Sequence, residues 1–269
     1  IHLILFIFLI YSVYLCAYSV LHNELNFFND VARDFLLLTE MDQKKIVLIG
    51  PRTNTSGLFH GPLWTYINYP AYLLGQGNPV VVAWFWIFLE IIILSSSFLM
   101  VKKILGTLPA LAFVLLFSIR FVGHVNGFFH SEATIFFIPL FIFSITMYIE
   151  KKRFIYLFLH MVSSIGLIQL NVGVGIPFLI LSLLIISWFI LKNKLLKHLA
   201  FLLLIPIGFS NFILFEILHN FQMTNAILAM SRDHTLFSTL DSLIKNRIDS
   251  TISLQIFADS VNYHLISYL

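Results

Sequence analysis

The amino-acid sequence predicts an all-α polytopic membrane protein with about seven transmembrane helices and a large first outer loop containing interfacial helices. Three observations carry that prediction. The 269 residues are 59% hydrophobic and only 11% charged, with a mean hydropathy of +0.93, far beyond what a soluble core needs. Apolar runs close to the ~20 residues that cross ~30 Å of hydrocarbon recur along the chain. Basic residues gather in short loops, which alternate with loops that hold the acidic ones.

Taken in order, the apolar runs cover roughly residues 1–21, 79–101, 104–122, 133–149, 154–170, 174–191 and 199–215. The first reads as a retained helix rather than a cleaved signal peptide, because it is longer than a typical signal core and no small-residue cleavage site follows it. The stretch from Phe154 to Leu191 is too long for one helix, and the polar break at Gln169, Asn171, Gly173 and Gly175 divides it. Pro177 then falls in the first turn of the second helix, where a missing N–H does least harm. The chain opens on Ile1 and stops at Leu269 in what reads as the start of another apolar segment. It is therefore taken as a single transmembrane domain over 1–269 and the N-terminal fragment of a longer protein.

Lys102 and Lys103, then Lys151, Lys152 and Arg153, then Lys192, Lys194 and Lys197 form three basic clusters on one side, which the positive-inside rule makes cytoplasmic. The opposite side receives the loop over 22–78, a short loop over 123–132 and everything after Glu216. The net charge of +3 and a pI near 8.9 reflect the cytoplasmic anchors and give no reason to expect nucleic acid as a partner. Cys16 is the single cysteine, so no internal disulfide forms.

The loop over 22–78 concentrates ionisable groups in a chain otherwise made for lipid: Asp30, Arg33, Asp34, Arg52 and His60. Such groups cluster where water, chemistry or an ionic ligand offsets their desolvation. Asn29 can cap a helix beginning near Asp30, with Val31, Phe35, Leu38 and Met41 as its apolar face. Asp30, Arg33 and Asp34 then share a polar face, either as parts of a site or as a capped surface helix with one local ion pair. The glycines and prolines after residue 49 predict an extended loop, a short interfacial helix over about Pro62–Leu74 and a turn into the next span at Pro79. Trp64, Tyr66, Tyr69 and Tyr72 suit the headgroup boundary.

Further along, Arg120 lies near the outer end of the third span, close to His124, His130 and Glu132. Its partner is a phosphate or Glu132, or it snorkels to the headgroups. The outer histidines His22, His60, His124, His130, His219 and His234 lack the tight pair spacings of a zinc site, so no metal and no cofactor is expected. Glu90, within the second span, reads as a buried hydrogen-bonding residue or part of a proton path. Glu216 and His219 either line the site or cap the end of the seventh span.

The order of Asp30, Ala32 and Arg33 after the first span, GP at 50–51 and HGPLWTYINYP at 60–70 resembles the first outer loop of polyprenyl-phosphate-sugar-dependent membrane glycosyltransferases of the GT-C fold. Relatives of that group include protein O-mannosyltransferases and lipid A aminoarabinose transferases. NGFFHSEATIF at 126–136, IQLN at 168–171 and FEILHNF at 215–221 extend the resemblance along the chain. Many members carry an Asp-Glu pair where this chain has Asp30 and Val31, and a lysine where it has His60.

The resemblance implies inverting transfer of a sugar from a polyprenyl-phosphate donor to a lipid, glycan or protein acceptor, on the periplasmic or outer face of a bacterial inner membrane. Asp30 would be the general base, with Arg33, Asp34, Arg52, His60, Arg120, His130 and Glu132 binding substrate. His60 would serve a departing phosphate only when protonated. The alternative from another class is a transporter or flippase for an anionic or lipid-linked solute.

Overall fold

The computed structural model describes residues 2–25, 27–121 and 128–232, and every regular element among them is helical. The helix α1 (His2–Leu21) leads into a loop, followed by α2 (Asn29–Lys44) and α3 (Leu63–Leu74). Next come α4 (Pro79–Leu105), α5 (Thr107–Phe121) and a 3-10 stretch (Glu132–Phe136) that runs into α6 (Ile138–Lys151). The chain continues through α7 (Phe154–Leu170), α8 (Val172–Lys192), a second 3-10 stretch (Leu196–Leu203), α9 (Leu204–Gly208), α10 (Ser210–Leu218) and α11 (Gln222–Arg232).

Local chemistry sets these boundaries. Asn78 accepts from the Val80 N–H at 2.9 Å and Pro79 occupies the first helical position of α4. Lys102 and Lys103 lie in its last turn, where cations suit the helix dipole, and Gly106 at φ +91° stops it. Asn171 ends α7 in extended backbone and its Oδ1 accepts from the Gly173 and Val174 N–H groups at 3.0 and 3.3 Å, starting α8. The helix α2 begins at Asn29 itself, with Phe28 in the capping position and no side-chain cap, so the expected Asn29 cap is not formed. Pro177 is the sixth residue of α8 rather than part of its first turn, because the helix starts at Val172.

Among the described residues, three helices are long and apolar enough to cross a membrane: α4, the continuous Glu132–Lys151 and α8. A fourth exists if Leu196–Gly208 and Ser210–Leu218, bent by 41°, count as one span. Only 28–39% of the residues in the apolar windows of those three are buried within the fold, so most of their apolar surface faces outward. The expectation of seven spans is corrected to three or four. All seven apolar runs are helical, but Leu5–Leu21, Thr107–Phe121 and Phe154–Leu170 are shorter apolar helices. Gly106 cuts α5 off from α4, Asn171 cuts α7 off from α8, and the last run bends near Phe209.

Two apolar cores hold the helices together. One joins α1 to α5 through Val20, Leu38, Trp64, Trp86 and Phe121, with Phe128 fully buried among them. The other joins α6, α7 and α8 to the following segment through Tyr148, Met161, Ile186 and Phe201. The three basic clusters meet at one end of the bundle. There the Lys103 ammonium lies 3.4 Å from the Tyr156 hydroxyl, and Lys152 donates to Asn193 Oδ1 at 2.8 Å. At the other end α2, α3 and the α7–α8 junction come together.

Candidate functional site

The helix α2 turns Val31, Phe35, Leu38 and Met41 inward, as their spacing predicts, but a fifth residue joins them. Asp34 is fully buried and belongs to the core face rather than to the polar face with Asp30 and Arg33. Its partner comes from far along the chain. Phe128 packs its ring 5.7 Å from Phe35 and 6.1 Å from Trp86, and Phe129 lies 5.5 Å from Phe28, which presses the segment carrying His130 onto α2. Asp34 Oδ2 accepts from the His130 backbone N–H at 2.8 Å and meets its Nδ1 at 2.9 Å. The carboxylate oxygen accepts, so Nδ1 donates and Nε2 carries the lone pair.

The contacts continue from there. His130 Nε2 lies 3.2 Å from Ser131 Oγ, which accepts from Asn171 Nδ2 at 3.1 Å. The two backbone N–H groups held by Asn171 Oδ1 fix the amide so that its nitrogen faces Ser131. The His60 ring lies 4.5 Å from that of His130, and its Nδ1 accepts from the Val172 N–H at 3.2 Å. On the outer side, Arg33 lies 3.0 Å from Asp30 Oδ1 and 3.5 Å from Asp34 Oδ1. Asp30, Arg33, Asp34, His130, Ser131, Asn171 and His60 thus form one connected polar cluster.

The loop that delivers His60 is anchored from below. Gly50 donates its N–H to the His60 carbonyl at 2.8 Å, and the His60 N–H donates to Pro51 at 2.9 Å. Asn211 donates to the Leu48 carbonyl at 2.9 Å and, with Gln169, ties α7 and α10 to this loop. Gly61 presses its backbone on Gln169, where a Cβ would come within 2.7 Å of the Gln169 Cα.

His60 is not the cation that a departing phosphate requires. Burial lowers its pKa to about 3, with the neighbouring His130 and Arg33 adding to the shift. An unfolded histidine takes its proton near 6.5. Between those values the unfolded chain binds more protons, so stability rises with pH across the window. His60 therefore contributes fully above about pH 6.5, and that contribution is lost as the pH falls toward 3. The expected result is a steeper loss of thermal stability between pH 7.5 and 4.5 in the wild type than in His60→Gln, followed by unfolding in detergent. Equal slopes would remove His60 as the source.

The other expected site residues lie as follows. Arg120 is 63% exposed and sits 3.9 Å from Glu132 Oε2, so of the partners expected for it the carboxylate is present. Arg52 remains exposed in the loop, its guanidinium 5.9 Å from the Phe59 ring centre, and no polar contact among the described residues joins it to the cluster. Glu216 caps α11 by accepting from the Met223 and Thr224 N–H groups at 2.8 and 2.9 Å. Glu90 is buried on α4, and its Oε1 has no hydrogen-bond partner among the described residues. Trp64 is buried rather than placed at the headgroups. His124 and His234 lie outside the described residues, among which no three His, Cys, Asp or Glu side chains gather as a metal would need.

An apolar cavity of about 410 Å³ between α1, α4 and α5, lined by Leu9, Val13, Ile91, Leu94 and Leu111, lies toward the basic end and not beside Asp30. Ser131 and its link to Asn171 were missed from sequence. The only local signal for Ser131 is its adjacency to His130. Comparison with protein-family models, with curated proteins and with solved structures finds no match in any of the three.

Proposed function

We propose that the protein is an integral membrane glycosyltransferase that moves a sugar from a polyprenyl-phosphate donor to an acceptor hydroxyl with inversion. Asp30 is its general base. The observation that carries this reading is the Asp30–Arg33 pair, 3.0 Å apart and 46% and 38% exposed. It combines a carboxylate open to an incoming hydroxyl with a guanidinium able to meet a phosphate. Both side chains stand on the first turns of an amphipathic helix, where a lipid-linked phosphate and a polar acceptor meet. The basic end is cytoplasmic and Asp30 faces the periplasm of a bacterial inner membrane.

Membranes containing the protein are expected to transfer labelled sugar from a polyprenyl-phosphate donor and not from a nucleotide sugar. Transfer from the nucleotide sugar alone would rule out the lipid donor. Movement of the labelled lipid between leaflets without transfer would replace the enzyme by a flippase.

A further inference from the structure

Beyond the sugar-transfer reading, the buried half of the cluster has a hydrogen-bond polarity that runs one way. Asn171 Oδ1 is occupied by two backbone N–H groups, so its Nδ2 donates to Ser131 Oγ. With that lone pair engaged, the Ser131 hydroxyl proton is directed to His130 Nε2, 3.2 Å away. Nε2 is the basic nitrogen because Nδ1 donates to Asp34 at 2.9 Å. Asp34 and His130 are 0% and 3% exposed, whereas Ser131 is only partly buried. A shielded carboxylate orients a shielded imidazole, and the partly buried Ser131 stands at the end of the line. This is the arrangement of nucleophile, base and orienting acid that activates a serine.

We propose that Ser131 is a nucleophile, activated by His130 with Asp34 as its positioning residue, that forms an acyl-enzyme with carboxylic esters presented at the membrane surface. Ser131 lies at the end of the bundle where the apolar helices give way to α2 and to the α7–α8 junction. In the membrane orientation of the sugar-transfer reading, that end meets the headgroup boundary, where glycerolipids carry their ester carbonyls. Ser131 Oγ bonds to the carbonyl carbon as its proton passes to His130 Nε2. The ester C–O bond then breaks, and the alcohol leaves with that proton. Water attacks the acyl-serine, giving its proton to Nε2; the acid departs and Ser131 regains its hydroxyl proton. Ester and water become acid and alcohol. The neutral His60 imidazole, with its proton on Nε2 because Nδ1 accepts from Val172, places an N–H donor in the same cluster for the developing oxyanion.

The test uses the full chain in detergent with an alkyl fluorophosphonate, which transfers its phosphonyl group to an activated serine with loss of fluoride. The expected result is an adduct on the Ser131 peptide of the wild type and none at that position or elsewhere in Ser131→Ala. His130→Gln, checked for folding by thermal unfolding, should label about 100-fold more slowly. A wild type that forms no adduct, or an adduct undiminished in Ser131→Ala, overturns the proposal. A serine that only links α8 to its neighbour would give that result. Sugar transfer is measured separately on the same preparation, so the failure of either reading is visible without the other.

Discussion

Asp30→Asn is expected to lower sugar transfer by about 10²–10⁴-fold, the usual contribution of a positioned general base, while the protein stays as stable as the wild type. Both halves of that result follow from where Asp30 stands. Nearly half exposed, it pairs with Arg33 at 3.0 Å across one helical turn. Exposed pairs of this kind contribute at most about 1 kcal/mol. Asparagine matches the carboxylate in shape but cannot take a proton from an acceptor. Transfer from labelled polyprenyl-phosphate sugar, compared at matched expression, is the measurement. Unchanged transfer in the variant would remove Asp30 from the chemistry.

The opposite pattern is expected four residues on. Asp34→Ala should cost about 3 kcal/mol of stability, since a hydrogen bond to a charged group contributes about 1.5–3 kcal/mol and two are lost. It strips the acceptor from both the backbone N–H and the ring of His130. Asp34→Asn retains a carbonyl oxygen that can accept from the same groups and should lose less. Thermal unfolding in detergent ranks the three proteins. If Asp34→Ala proved as stable as the wild type, the contact between α2 and the His130 segment would not be holding the fold.

These two carboxylates mark the boundary of what the sequence makes legible. Periodicity identifies the inward face of α2 correctly at Val31, Phe35, Leu38 and Met41, because apolar residues report their own burial. It leaves Asp34 on the outer face, since a buried carboxylate depends on a partner 96 residues away and no local pattern encodes one. Trp64 fails for a related reason. An aromatic residue near polar loops suits the headgroups, but here Trp64, Thr65 and Asn68 form the inward face of α3, with the Trp64 carbonyl accepting from Asn68 Nδ2 at 2.8 Å and Asn68 Oδ1 from the Trp86 indole at 2.7 Å. The apolar runs locate the helices, yet their number overstates the long spans, because breaks at Gly106 and Asn171 limit helix length where composition stays apolar. His60 lies beside His130 in the polar cluster. Its neutrality follows from burial against His130 and Arg33, which only the assembled fold supplies.

The long reach from Asp34 to His130 also orders events in time. During synthesis α2 leaves the ribosome with its inward-facing carboxylate long before the histidine that receives it, and α3, α4 and α5 must all be made in between. A carboxylate without a partner is costly in hydrocarbon, which opposes burial of α2 before that histidine has been made. Phe128, Phe129 and His130 supply the contacts under which that carboxylate is buried. The amino-terminal third of the fold is thereby locked by a residue near the middle of the chain, and a ribosome stalled before that point leaves an unlatched amino-terminal unit open to quality-control proteolysis.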